Sequence, residues 1–236
     1  MDTFPILIIN MAEDLERYIL SSNELAKISS NLIRVDAVSG RALADNQILI
    51  ENASVVACWL SHQKAYQYIV ENNLSGALVV EDDVQLINSS QFSAQLSKID
   101  ILSLDILQLG FIAPHPIAKF ELFYQNLEHS LIRILISFEK VIPKNFLKSI
   151  VRVDLNRESG WNLISNELLG GSHCYYISNS GAKKMINLNI PVVVPVDGFL
   201  KNAVSSKLLI GARTRRSLAS QRASISTITG RKNKTR

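Results

Sequence analysis

Along the chain, the first clear pattern is a short apolar run, FPILII at residues 4–9, closed by Asn10. A polar stretch follows in which Leu15, Tyr18, Ile19 and Leu25 recur near helical spacing, so this unit reads as a buried strand feeding a helix. NLIRVDAVSG, from Asn31, predicts a second strand ended by a Ser-Gly turn. From Ala53, ASVVACWLSHQKAYQYIVENN predicts a helix of about five turns with Val56, Leu60, Ala65 and Ile69 on its apolar face. The Ser75-Gly76 breaker then leads into GALVV, an apolar strand that stops at three consecutive acids, Glu81, Asp82 and Asp83.

Ser89 and Ser90 are good N-cap residues for another helix, and DILQLGF from Asp105 predicts the next strand. GGSHCYYIS predicts a strand from Gly170, and NSGAKKMINL a helix capped by Asn179 or Ser180. IPVVVPVDGFLKNAV reads as a Pro-bounded extended stretch that delivers Asp197 to the start of a short helix. Between residues 112 and 167 the pattern is ambiguous, since LIRILISFEKVI suits a strand pair as well as an amphipathic helix. Strands that alternate with helices and read as continuous apolar runs imply an α/β fold, its mostly parallel sheet covered on both faces.

Composition narrows the class. At 236 residues the chain can bury one large core, and 47% hydrophobic against 19% charged residues is too apolar for a disordered protein. No run of about 18 apolar residues offers a membrane span. The net charge of +4 is an average over two opposite regions. Residues 207–236 contain nine Lys and Arg and no acid, whereas residues 1–206 hold sixteen basic and twenty-one acidic side chains. The expected organisation is therefore one acidic domain over 1–212 and a basic tail over 213–236, too poor in apolar residues to join the core. Cys58 and Cys174 form no C-x-x-C pair, which points away from structural zinc or a redox motif and towards reduced thiols. The amino-terminal segment has no basic n-region, so a cytoplasmic protein is expected.

The acidic triplet is the most informative chemistry, because ligands of open α/β sheets bind outside the carboxyl ends of strands. Two like charges about 4 Å apart repel by roughly 4 kcal/mol near a protein surface, so such a cluster needs solvent, protons or cations. Alternation puts Glu81 and Asp83 on one side and Asp82 on the other, a pair suited to a hard, oxygen-seeking ion such as Mn²⁺ or Mg²⁺. A solvated acidic turn is the competing reading. No G-x-x-x-x-G-K or G-x-G-x-x-G sequence occurs, which argues against a P-loop or a dinucleotide-binding enzyme.

Five segments then occur in a telling order: IINMAEDLER with Asn10 and Arg17; IRVDAVSG with Arg34 and Asp36; ACWLSHQKAY with Cys58, Ser61 and His62; GALVVEDDV; and GGSHCYYISNSGAKKMI followed by PVD. In these the chain resembles glycosyltransferase family 25, the lipopolysaccharide and lipooligosaccharide sugar transferases related to the collagen galactosyltransferases. Residues 111–167 diverge from that pattern. The resemblance implies a single Rossmann-like domain of GT-A type that transfers a sugar, with inversion, from a UDP-sugar to a saccharide acceptor of a surface glycan. It also implies a metal held by an acidic D-x-D-like motif, for which Glu81 and Asp83 are the expected ligands and Asp82 a group orienting ribose or metal-bound water. UDP-galactose as donor and a glycan or glycolipid acceptor are expectations from the same resemblance.

Inversion needs a base for the acceptor hydroxyl, and a carboxylate suits the task. Asp197, after the apolar VVVPV stretch, is the first candidate and Glu167 the reserve, with helix capping the plain alternative for Asp197. Arg17 and Arg34 could grip phosphate bidentately, although Asp14 offers Arg17 an ordinary ion pair. Asn10 and Asp36, at the ends of the first two strands, could read base or ribose. Ser61 and His62 belong to the third segment as either substrate contacts or buried hydrogen-bonding residues. Gly171 allows close approach of backbone to ligand, and His173 could face diphosphate or metal.

The tail has no aromatic residue for base stacking, so nucleic acid is not an expected partner. An anionic membrane surface is, at about 1 kcal/mol per engaged basic residue, which would place the protein peripherally on the cytoplasmic face of the inner membrane. A metal-dependent phosphohydrolase, or an inactive sugar-nucleotide or glycan binder, remains the alternative function.

Overall fold

The computed structural model describes residues 4–43, 52–96, 103–112 and 163–222. Among them run, in chain order, β1 (Ile6–Asn10), α1 (Leu15–Leu25), β2 (Leu32–Asp36), a 3-10 turn (Gly40–Ala42), α2 (Ala53–Glu71), β3 (Gly76–Glu81), β4 (Val84–Leu86), α3 (Ser89–Leu96), β5 (Ile106–Gly110), β6 (Leu163–Ser165), β7 (Cys174–Ser178), α4 (Asn179–Met185), α5 (Val196–Ser205), β8 (Gly211–Thr214) and β9 (Ala219–Gln221). The ambiguous segment of the sequence, with His115 and His129, falls almost wholly outside the described residues, as do residues 223–236.

All nine strands join one mixed sheet, whose main path is β2-β1-β3-β7-β5-β8-β6, with β9 pairing both β4 and β5. β1, β2, β3, β5, β8 and β9 point one way, and β4, β6 and β7 the other. The mostly parallel α/β sheet is therefore present, with antiparallel β7 inserted at its centre between β3 and β5. This architecture is consistent with a Rossmann-like GT-A fold.

The apolar runs are continuous because each strand feeds two cores. Leu7, Ile9, Val79, Tyr175 and Ile177 turn to the face covered by α2, α4 and α5. Ile6, Ile8, Leu78, Val80 and Tyr176 turn to the other, where Leu25 of α1 and Phe92 and Leu96 of α3 pack. Each core-facing Ile, Leu or Val taken fully from water contributes about 1.5–3 kcal/mol, so both faces are needed to offset chain ordering. Helix α2 is buried on more than one side: Trp59, Tyr66 and His62 are fully enclosed along with Val56, Ala65 and Ile69. Leu60, expected on the apolar face, is only partly buried. On α1 the expected stripe is narrower than predicted, since Leu15 and Ile19 are exposed and Leu25 alone of the four is buried.

Three local expectations change. The cap of α4 is Ser178, whose Oγ accepts from the Gly181 amide, because the Ser180 hydroxyl is committed to Asp105 and the Asn179 amide to the Leu74 carbonyl. The cap position of α5 is Pro195, and Asp197 lies in the first turn. The boundary expected at 212/213 falls inside β8, so residues 213–214 and 219–221 belong to the sheet and not to a tail. The reason is ion pairing: Arg213 is fully buried because Glu167 takes its guanidinium at 3.0 and 2.6 Å. Composition alone counts such a residue as solvated.

Candidate active site

The carboxyl end of β3 is where the chemistry collects. β3 carries Glu81 out of the sheet, residues 82 and 83 make the turn, and β4 returns antiparallel to it, held by β9. Strand β9 also brings Gln221 alongside, and its Nε2 lies 3.5 Å from Glu81 Oε2 and 3.4 Å from Asp83 Oδ2. Backbone anchors the same corner, with Arg222 N donating to the Asp83 carbonyl at 2.7 Å. Glu81 and Asp83 thus converge on one atom, while Asp82 turns away to Asn10 and Arg17, as strand alternation predicts.

The three acids are in different electrostatic situations. Burial alone would raise the Glu81 carboxyl, but His62 beside it, the Ser172 hydroxyl at 2.8 Å and nearby His173 hold it below the usual carboxylate range. For Asp82, burial prevails over the Asn10 amide at 2.7 Å and the Arg17 guanidinium, and its carboxyl is raised. Asp83 is pushed up to about 6 by burial and by the Glu81 charge, with Arg17 at 3.5 Å offsetting only part of this. Its Oδ1 is buried with no hydrogen-bond partner.

Asn10 sits at the end of β1, almost fully buried, with its Nδ2 given to Asp82 and to the Asp14 carbonyl at 2.9 Å and its Oδ1 unpartnered. Arg17 spans Asp14, Asp82 and Asp83, so its present partners are carboxylates. Arg34 donates to the Met11 and Ala12 carbonyls and lies over the Tyr18 ring at 5.0 Å, which pins the β1–α1 loop. Asp36 is exposed at the end of β2, 3.8 Å from Arg34. Ser61 is internal: its hydroxyl donates to the Ala57 carbonyl and accepts from Val38 N.

Opposite the acids, the 170–173 loop forms the other wall. Gly171 has a φ of +103°, a conformation that favours glycine, and Gln108 from β5 clamps its carbonyl at 2.8 Å and the Leu169 carbonyl at 2.9 Å. Asp197 accepts from Gly198 N at 2.8 Å and from Gly171 N at 3.3 Å. The same short loop therefore touches Asp197 through Gly171 and Glu81 through Ser172. Gln108, Gly171, Tyr175 and Asp197 close together here with the apolar Ile106, Leu168 and Leu200, leaving no room for a water molecule between them. His173 is buried, with Nε2 3.4 Å from the Ala219 carbonyl; burial holds its imidazole below the usual range despite the Glu81 charge. The structure joins Asn10, Arg17, Asp82 and Asp83 in one cluster, sets buried His62 and His173 beside Glu81, and links Asp197 to Gly171, while Glu167 is tied to Arg213 and Ser61 to backbone.

Four contributors escape sequence reasoning. Gln108 is a polar residue inside an apolar strand, a signal that was present in DILQLGF. Tyr175 and Tyr66 join hydroxyls at 2.8 Å, and Tyr175 also meets His62 Nδ1 at 2.7 Å, a network that only the β7–α2 packing creates. Gln221 had no signal.

A Rossmann-like sheet with carboxylates at a central strand end is the arrangement expected of an enzyme that handles a nucleotide-linked substrate. The chain belongs to glycosyltransferase family 25: the pattern of that family, described as an LPS biosynthesis protein, matches residues 3–200. It is also similar to procollagen galactosyltransferase 2 of Homo sapiens, 27% identical over an alignment of 184 residues that covers 70% of this chain. The chain spans about a quarter of that relative's length, 25%. Among the described residues no helix is long and apolar enough to cross a membrane.

Proposed function

We propose that this protein transfers a hexose, galactose by analogy with its relative, from a UDP-sugar to a saccharide acceptor of a surface glycan, with inversion and with a divalent metal. The observation that carries the reading is the convergence of Glu81 and Asp83 on a single point at the carboxyl end of β3, with Asp83 Oδ1 buried and unpartnered. The residues fit a hard cation: two carboxylates from one turn present oxygen only, and the strained ionisation of Asp83 is what a positive charge would relieve. Mn²⁺ or Mg²⁺ would be held by Glu81 and Asp83, with the Gln221 amide displaced from between them. A bound ion would supply Lewis-acid stabilisation of the charge on the departing diphosphate.

The protein's own residues do the rest. Asn10 and Arg17 hold Asp82 and stand beside the leaving group's place, so Arg17 can exchange a carboxylate for phosphate. The acceptor oxygen bonds to the anomeric carbon as the bond to the diphosphate oxygen breaks, and the hydroxyl proton passes to a carboxylate. Asp197 is favoured as that base over Glu167, because Glu167 is held in an ion pair by a fully buried Arg213. The 170–173 loop fixes Asp197 and Glu81 relative to one another. The basic residues beyond 222 would keep the enzyme near a lipid-linked acceptor at an anionic surface.

The test is a panel of nucleotide sugars measured for Mn²⁺-dependent protection against thermal unfolding, repeated with Asp83→Ala. One UDP-sugar should raise the wild-type melting temperature only with metal, and the variant should lose that rise. If no nucleotide sugar protects the wild type, the proposal fails. Product analysis with Asp197→Asn and Glu167→Gln then separates the two bases: the first should abolish transfer while leaving donor protection intact.

A further inference from the structure

Behind the acidic corner lies a second set of possible ligands. Cys58 and His62 are four residues apart on α2, so their side chains share one face of the helix. That face is turned to the end of β3, and the Cys58 sulfur, a His62 ring nitrogen and a Glu81 oxygen all lie within 4.8 Å of one another.

His62 is the informative member. It is completely buried, its Nδ1 is engaged by the Tyr175 hydroxyl at 2.7 Å, and its Nε2 has no hydrogen-bond partner. Nε2 is aimed at Glu81 Oε1, but at 3.8 Å the pair is too far apart for a direct hydrogen bond. A tetrahedral metal with bonds of about 2.0–2.2 Å to nitrogen and oxygen holds those two ligands about 3.3–3.6 Å apart, so the pair lies within a few tenths of an ångström of ligating distance. In the tautomer that donates Nδ1–H to Tyr175 the lone pair sits on Nε2, and the Tyr66 hydroxyl at 2.8 Å holds Tyr175 in turn. Fixing a histidine by its other ring nitrogen is how proteins orient a metal ligand. Glu81 is likewise held, by the Ser172 hydroxyl.

We infer that Cys58, His62 and Glu81 form a binding site for a borderline-soft divalent ion of the Zn²⁺ type, distinct from the oxygen-only site of Glu81 and Asp83. One thiolate, one imidazole and one carboxylate make a mixed set that selects against Mn²⁺ and Mg²⁺. Three protein ligands leave a fourth, tetrahedral position open. Because Glu81 belongs to both sets, an ion in the Cys58 site withdraws a carboxylate from the oxygen site. Zn²⁺ would then oppose Mn²⁺. This last consequence rests on the function proposed above; the site itself does not.

Co²⁺ is the probe, since it takes zinc's place and reports thiolate ligation by a charge-transfer absorption in the near ultraviolet. One equivalent added to the reduced full-length protein should produce that band, and one equivalent of Zn²⁺ should abolish it. Cys58→Ser should lose the band and bind Zn²⁺ at least tenfold more weakly, while Cys174→Ser keeps both. Cys58 packs against the core, so the folding of this variant is checked by circular dichroism as well. His62→Gln, checked for folding by circular dichroism, should weaken Zn²⁺ binding as well. Absence of the band in wild type, or its survival in Cys58→Ser, overturns the site. Loss of Zn²⁺ inhibition in Cys58→Ser with Mn²⁺-supported transfer retained would link the two sites, whereas a cobalt band without any Mn²⁺-dependent nucleotide-sugar protection would leave this site standing and sink only the transferase reading.

Discussion

At the amino end of β5, Asp105 has a partner for every demand its charge makes. Ser180 donates to Oδ1 at 2.6 Å, and Lys184 and the Ile210 amide donate to Oδ2 at 2.7 and 2.8 Å. Burial alone would raise its carboxyl, yet these donors bring it below the ordinary range. At the carboxyl end of β3, Asp82 and Asp83 share the Arg17 guanidinium with Glu81 beside them, and two of the three carboxyls are raised. Both groups of acids border the same sheet, at opposite ends of its parallel strands. One is finished and the other waits for positive charge, so the first reads as structure and the second as a site.

The largest test of this contrast is Asp105→Ala. It should cost about 3 kcal/mol in denaturant unfolding, because the Ile210 amide loses its acceptor while Lys184, 40% exposed, can turn to water. The stabilisation from Asp105 is present above its unfolded pKa near 4 and is lost as pH falls through the lower folded value. Asp83→Asn should do the reverse in metal-free protein at pH 7. A carboxyl raised from 3.8 to about 6 penalises the folded state above pH 6, so neutralising it should raise stability by at most about 3 kcal/mol. That gain should shrink as pH is lowered from 6 to 4, and the same variant should lose transfer. An Asp83→Asn protein no more stable than wild type at pH 7 would erase the contrast between the two ends.

Smaller changes sharpen it. Arg17→Gln removes the only cation within reach of both Asp82 and Asp83 among the described residues, and should cost about 1–2 kcal/mol at pH 7 and less at pH 5. Added Mn²⁺ should restore more stability to that variant than to wild type, measured by thermal melting. Gln221→Ala should shift unfolding by less than about 0.5 kcal/mol, since its contacts at 3.4 and 3.5 Å are long. Its expected signature is a lower Mn²⁺ midpoint, because an amide no longer lies between the ligands.

The contrast also separates what the amino-acid order reveals from what it hides. β1, β3 and β7 are legible because strands buried on both faces leave uninterrupted apolar runs, and the triplet after GALVV is legible because a strand end is where such acids matter. The approach of Glu81 and Asp83 to a common point follows from alternation, which the turn respects. Pairing is what stays hidden. Nothing local tells that Arg213 is buried against Glu167, that Arg17 reaches beyond Asp14 to Asp82 and Asp83, or that Gln221 crosses more than a hundred residues to face Glu81. Each depends on a contact distant in sequence between polar groups, and polarity carries no period. Gln108 is intermediate, since a glutamine inside an apolar strand announces a specific bond without naming its partner.

The family pattern ends at residue 200, yet β8 and β9 come later, and β9 is the strand that holds β4 and borders β5. A chain stopped at residue 200 would keep every recognisable segment and still bare a long edge of β5, a ready template for intermolecular strand addition. The unit that inheritance marks out is thus shorter than the unit that folds, and anyone trimming or fusing this protein should cut no earlier than Arg222.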